Sequence, residues 1–422
     1  MTTIAIIAGT YQPDRCGTAH YTAYLRQALV EQGVNSIVLT TQGAAKQMSD
    51  RTVQGVVTDW GLSQLLPLVR AVKFTTADLL HIQHAAGTYR FQRPIFLLPL
   101  LLRVFGYRKP IVTTVHEYGW WEWEPSGIPP QFLEWLKMWG QQRRWWDRED
   151  GFLLTRSNAI ITTNSEAESV ILKRLPHYID RLHRIAIAAN ITTSPIDRHQ
   201  ARQQLRQRWS WSPDSLVVVF FGFLHPVKGI EYLLSAFRQV VTQHPQARLL
   251  LLGGVESLAL QKEEAKSYWD QLQALIKELQ LSDRISMTGY VSSETASHYL
   301  SGADLGVLPF NHGVTLKSGS LLALMAHGLP VIATRSTPDD PDLLAEDLLE
   351  LVPTRNVAAL TQTLLNLIQD RSKRDRLGNT ASKFSDRFTW CAIAKQHDHI
   401  YQQLLADNQY FNQPYRSRLT IL

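Results

Sequence analysis

Short aliphatic runs alternate with amphipathic stretches along this chain, and the alternation starts twice. IAIIA, NSIVLT, DLLHIQ, PIVTTV and NAIITT form a first set of β-branched or aliphatic strands. Between them lie helical stretches such as Thr18–Gln32, where Tyr21, Leu25, Ala28 and Leu29 recur at helical spacing. SLVVVFFG, ARLLLLGG, RISMTG, ADLGVLPF and LPVIAT open a second set, with helices expected over Ile230–Val241, Ser257–Leu279 and Ser320–His327. Strands alternating with helices require parallel sheets built from right-handed βαβ units. Two sets in 422 residues predict two doubly wound, Rossmann-like domains.

The strand pattern lapses around ANITTSPIDRHQARQQLRQRWSWSPDS, where Thr, Ser, Pro and charges mark a linker followed by a short helix. The first domain is therefore expected at 1–190 and the second at 195–388. A final helix, Trp390–Leu405, leads into a tail without periodicity, and 389–422 forms a terminal segment. Ligands of open α/β sheets sit at the carboxyl ends of the strands, where the strand order reverses. Two such domains facing a cleft would place two binding edges across it.

Composition narrows the function. Hydrophobic residues make up 45% and charged residues 19% of the chain, which supports large cores and excludes intrinsic disorder. Cys16 and Cys391 stand far apart, so neither a disulfide framework nor a cysteine zinc site is expected, and a reducing compartment fits. MTTIAIIAG lacks the basic start of a signal peptide, and no window approaches a membrane span. These features predict a soluble, cytoplasmic protein. The net charge of +6 comes with no nucleic-acid module and no long basic run, so nucleic acid is not an expected partner. One local excess stands out: RFQRPIFLLPLLLRVFGYRK couples an apolar run to cations and predicts contact with the inner face of an anionic membrane, against the alternative of ordinary packing on the first sheet.

Three loops could carry chemistry. AGTYQPDRCGTAH places Gly9, Pro13 and Gly17 before a helix, whose free N–H groups suit a phosphate or sugar hydroxyl. It lacks the three-glycine dinucleotide spacing, and a plain βα turn is the alternative. VVVFFGFLHPVKGIEYLLSAF sets Gly222 at a strand end and Lys228 just before a helix, where a lysine can reach a diphosphate as a point charge. In LPFNHGVTLKSGSLLALMAHG, Ser318, Gly319 and Ser320 open a helix, and small residues there admit an anion. Read alone, the first would be a surface lysine and the second a serine cap.

In this order and at these distances, Gly222, HPVKG, MTGYVSSETASHYLSGADLGVLPF and LMAHGLPVIAT resemble the GT-B glycosyltransferases of family 4 (group 1). QPDRCGTAHYTAYLRQALVEQG, DLLHIQH, TTVHEYG and ITTNSEAE extend the resemblance through the first domain, and FTWCAIAKQHDHIYQQLL matches the family's last helix, which crosses back to that domain. The resemblance implies transfer of a sugar from a nucleotide-diphosphate donor to a glycan, lipid-linked or small-molecule acceptor, with retention and without a tightly bound cofactor or metal. It implies that Lys228 and Ser318–Ser320 neutralise the leaving diphosphate, that Gly17 brings backbone amides to the same phosphates, and that Gly222, Tyr290 and Val291 line the nucleotide. His116 corresponds to the histidine beside the donor sugar, and a histidine there could respond to pH near neutrality. His84 and Trp120 are the expected acceptor contacts.

The departures bear on activity. The family's paired glutamates fall at Thr315 and Ala323, and its arginine before the lysine is replaced by Phe223. Lys317 is a candidate for the missing charge. The glutamate losses keep two alternatives open, a non-catalytic sugar- or partner-binding protein and a nucleotide-sugar epimerase. The other unusual feature is a set of seven tryptophans at Trp120, Trp121, Trp123, Trp135, Trp139, Trp145 and Trp146. Packing of a helical insertion, stacking on an acceptor sugar and seating among lipid headgroups all suit such rings.

Overall fold

In a computed structural model, residues 1–14, 16–256, 260, 262–345 and 347–412 are described. The chain forms two compact units. The first comprises Met1–Ala186 together with the chain from Trp390 onward, and the second comprises Ile187–Thr389.

The first unit holds a seven-stranded sheet made of β1 (Thr2–Ala8), β2 (Val34–Thr41), β3 (Val53–Val57), β4 (Leu79–His84), β5 (Ile111–Val115), β6 (Ala159–Thr162) and β7 (Leu182–Arg184). All pairings are parallel, in the order β3-β2-β1-β4-β5-β6-β7. The strand order reverses between β1 and β4, so the loops after these strands open on the switch point. Covered on both faces, the central strands are buried throughout, as parallel sheets require. Their polar members serve one another: His81 meets Thr114 at 2.7 Å and Thr113 meets Ser157 at 2.8 Å. The final helix runs from Trp390 to Asn412, longer than the sequence suggested, and residues 413–422 of the tail lie outside the described residues. Tyr401 on this helix is wholly buried and hydrogen-bonded to His81 at 2.7 Å, which ties the end of the chain to the first sheet.

The second unit repeats the plan with β8 (Leu216–Phe221), β9 (Ala247–Leu252), β10 (Ile285–Met287), β11 (Leu305–Leu308), β12 (Val331–Thr334) and β13 (Glu350–Val352). Their order, β10-β9-β8-β11-β12-β13, puts a second switch point between β8 and β11. The helix expected from Ser257 runs over Lys262–Glu278, and Ser257 itself lies outside the described residues.

The apolar run Ile95–Leu102 is not a membrane face. Ile95, Phe96, Leu98 and Leu102 belong to the core of the first unit beside Leu68, Ile82 and Tyr89. Two of the cations around it are occupied. Arg93 donates to the carbonyls of Trp121, Glu122 and Glu149, and Arg103 to those of Tyr107 and Lys109. Guanidinium groups held by backbone carbonyls order the loop and are not free for phospholipid. Among the described residues, no helix is long and apolar enough to cross a membrane.

Candidate active site

At the second switch point, three loops meet on a floor of glycine. Gly222 follows β8 with φ +136°, and a methyl group there would stand 2.7 Å from Ser320 Oγ. Gly253 follows β9 with φ +143°, and its methyl would lie 2.0 Å from the Gly222 carbonyl oxygen. Only glycine accepts these conformations and this closeness. The turn after β10 closes the floor, with the Tyr290 backbone nitrogen 3.1 Å from where a side chain on Gly254 would begin. Tyr290 is exposed and Val291 half-buried, so both stand at the open edge.

Lys228 ends the turn Pro226–Lys228, which is pinned from two sides. His225 caps the Val227 amide, while Asn311 donates its backbone N–H to the Val227 carbonyl and its side chain to the Pro226 carbonyl, both at 3.0 Å. The Lys228 ammonium sits over the Phe310 ring, 3.6 Å from its centre. Among the described residues no carboxylate pairs with it. Burial and then the Lys317 charge push its pKa down to about 8. Two cations near one another, the half-buried one without a carboxylate partner among the described residues, concentrate positive charge that suits an anion. Beside them Ser318 caps the Gly319–Ala326 helix, accepting from the Leu321 amide at 3.2 Å, so the first turn presents its free N–H groups. The structure therefore brings Gly222, Lys228, Lys317, Ser318, Gly319 and Ser320 to one edge of the second sheet.

Two residues missed in the sequence belong here. Gly253 was legible only as the end of a strand. Asn190 had no local signal, since it stands where the strand pattern lapses and the sequence reads as a linker, although the structure counts it in the second unit. A side chain on Gly319 would start 3.4 Å from its Cγ, and its buried Oδ1 has no hydrogen-bond partner. Ala323 takes the place of the family's second glutamate and is wholly buried on the inner side of its helix. Thr315 is half-buried and its carbonyl accepts from the Ser318 amide.

In the first unit, Gly17 begins the helix Gly17–Glu31 and faces open space. The cap is Cys16, whose Sγ accepts from the Ala19 amide at 3.5 Å. His116 follows β5, its N–H bonded to the His84 carbonyl at 2.9 Å and its ring edge-on to Tyr21. A side-chain chain fixes its protonation. The Gln83 amide nitrogen donates to His81 Nε2 at 3.2 Å, and the Gln83 oxygen accepts from His116 Nε2 at 2.9 Å. His116 therefore carries its proton on Nε2 and presents Nδ1 as an acceptor. Burial, with the charges of His84 and His397, holds its pKa down to about 3. The expected response near neutral pH is thus corrected: the imidazole stays neutral there.

His84 and Trp120 part company. His84 is buried against Tyr89 and Phe96, with its pKa pushed down to about 4 by burial, so its ring offers no surface to an acceptor. Trp120 is 56% exposed and meets Phe91 edge-on.

Comparison with known proteins agrees with this fold. Residues 201–384 match the family described as Glycosyl transferases group 1. Over 311 residues the chain is 20% identical to an alpha-D-kanosaminyltransferase of Streptomyces kanamyceticus, covering 72% of this chain and 73% of that one. It spans about half the length of several other curated relatives. Sucrose-phosphate synthase of Thermosynechococcus elongatus superposes with a TM-score of 0.70 at 20% identity, covering 96% of this chain and 100% of the other. HepE of Anabaena, in complex with UDP and glucose, gives 0.67 at 18% identity with the same coverage. The fold is therefore the GT-B fold, two doubly wound units of the kind these glycosyltransferases share. The match to the group 1 glycosyltransferases lies within the second unit.

Proposed function

We propose that this protein transfers a sugar, with retention, from a nucleotide-diphosphate donor to a glycan, lipid-linked or small-molecule acceptor. The observation that carries the reading is Lys228, an ammonium half-buried over Phe310 beside Lys317 and a capped helix start, with no carboxylate to neutralise it. As the bond from the anomeric carbon to the diphosphate oxygen breaks, negative charge builds on the leaving group. A fixed ammonium and the N–H groups of Gly319 and Ser320 stabilise that charge more than the ground state. Tyr290 and Val291, at the edge of the glycine floor, serve the base, and Gly17 adds backbone N–H groups for the phosphates. His116 serves the transferred sugar as a hydrogen-bond acceptor through Nδ1.

A uridine nucleotide is the favoured donor class, because HepE, with the same fold, is seen in complex with UDP and glucose. Ala323 is the observation that favours a second reading. A buried alanine cannot hold a ribose, so the site could bind donors without turning them over. Radiolabel release from UDP-, GDP- and ADP-sugars, with and without acceptor extracts, separates the readings. Turnover of one donor class supports transfer, binding without turnover supports the second reading, and donor interconversion without acceptor would point to an epimerase.

A further inference from the structure

The helix Pro130–Gln142 is built with its polarity reversed. Its inner face carries Leu133, Gly140 and the buried Lys137, whose ammonium pairs with Glu122 at 3.1 Å. Glu122 also binds Arg148 at 2.8 Å and Arg174 at 3.0 Å, Arg148 binds Glu134 at 2.9 Å, and Arg174 binds Glu149 at 2.9 Å. Lys137 is buried with its charge, Glu134 pairs with Arg148 at the margin with 46% of its side chain exposed, and the large apolar groups face outward. Phe132, Trp135 and Met138, spaced by three residues, are 53%, 54% and 49% exposed, and Trp145 just beyond the helix is 50% exposed. Their rings form one ladder: Phe132 stacks on Trp135, Trp135 on Trp139, and Trp139 meets Trp145 edge-on at 5.0 Å.

The surroundings choose among occupants. Arg143, Arg144, Arg156 and Arg181 are exposed and, among the described residues, have no carboxylate partner. Arg144 and Arg181 both act on His177, and all but Arg143 act on Tyr178, so they share one neighbourhood at the end of the aromatic ladder. A symmetric contact with a second copy would oppose this positive rim to itself. A single sugar ring needs one or two aromatic faces, not a ladder along a helix.

We infer that the Pro130–Gln142 helix lies in the headgroup layer of an anionic bilayer, with Phe132, Trp135, Met138 and Trp145 inserted and the arginine rim over the lipid phosphates. An apolar, tryptophan-bearing helix face beside cations is the pattern of an interfacial helix. Each arginine contributes about 1 kcal/mol, or about fivefold in binding, and salt screens it. The surface is independent of the donor site and stands whichever reading of that site holds.

Vesicle flotation of the full chain tests it, with phosphatidylcholine alone and with phosphatidylglycerol added. Salt-sensitive flotation only with the anionic lipid is expected. Phe132→Ser/Trp135→Ser/Met138→Gln, changes confined to exposed positions, should abolish it, and Arg143→Gln/Arg144→Gln should weaken it by about 25-fold, the product of two fivefold terms. Phe74→Ser, at a solvent-exposed site off this helix, should leave it intact. No flotation with anionic vesicles overturns the inference. Flotation untouched by the triple variant assigns binding to another surface, and a dimer in solution that the triple variant dissolves assigns the face to a second copy. Circular dichroism matching the parent confirms that each variant is folded.

Discussion

Replacing Lys228 with methionine keeps an apolar stem over Phe310 and removes the charge. A hydrogen bond to a charged group contributes ~1.5–3 kcal/mol, so affinity for a nucleoside diphosphate should fall about ten- to a hundredfold while nucleoside affinity stays level. The low pKa gives a second signature. With a value of about 8, Lys228 is about 90% protonated at pH 7 and about 10% protonated at pH 9. A bound diphosphate supplies the missing counter-charge and raises that pKa, so binding takes up a proton. Affinity is then full below pH 7 and is lost as pH rises through 8, by about tenfold between pH 7 and 9. The terminal phosphate titrates near pH 6 and is ionised across this window, so it adds no slope of its own. Titration calorimetry with UDP and uridine, in buffers of different ionisation heat, reads affinity and proton uptake together. Equal weakening of UDP and uridine by Lys228→Met would refute phosphate contact. A pH slope that persists in Lys228→Met would refute the assignment of the titration.

Three further outcomes follow from the first unit. His116→Ala should slow donor turnover at least tenfold and change nucleotide affinity little; an unchanged rate in a folded variant removes His116 from the chemistry. His84, His116 and His397 have pKa values pushed down to about 4, 3 and 4, so the unfolded chain binds protons near pH 6.5 that the folded unit refuses. Stability should therefore fall as pH drops from 6.5 toward 4, by up to about 1.4 kcal/mol per pH unit for each histidine, and a urea midpoint flat across that range contradicts it. Arg174→Met strips Glu149, which is 3% exposed, of its ion pair and should cost ~3–5 kcal/mol, read as a lowered urea midpoint; a loss below about 1 kcal/mol would mean that the Gly119 and Trp121 amides alone hold the carboxylate.

What the sequence carried, and what it hid, divides along physical lines. The central strands were legible because both faces are buried and most positions are apolar or β-branched. The strands that escaped notice, β3, β7 and β13, are all sheet edges of three to five residues, too short and half-covered for a run to form. Lys228 and Ser318–Ser320 were legible because loops after parallel strands must open on one edge. Their mutual arrangement was not, because it depends on Gly222 and Gly253 touching across the sheet. The membrane reading shows the limit of one-dimensional pattern most sharply. Ile95–Leu102 is the more apolar segment, yet it is the one the sheet covers, because its arginines find backbone carbonyls close by. Phe132, Trp135 and Met138 look less apolar in sequence, diluted by Glu134 and Lys137. Lys137 turns inward to Glu122 and Glu134 pairs with Arg148 at the margin, which leaves the aromatic face to solvent. Hydropathy averages over a helix, while exposure depends on where its ion pairs are satisfied.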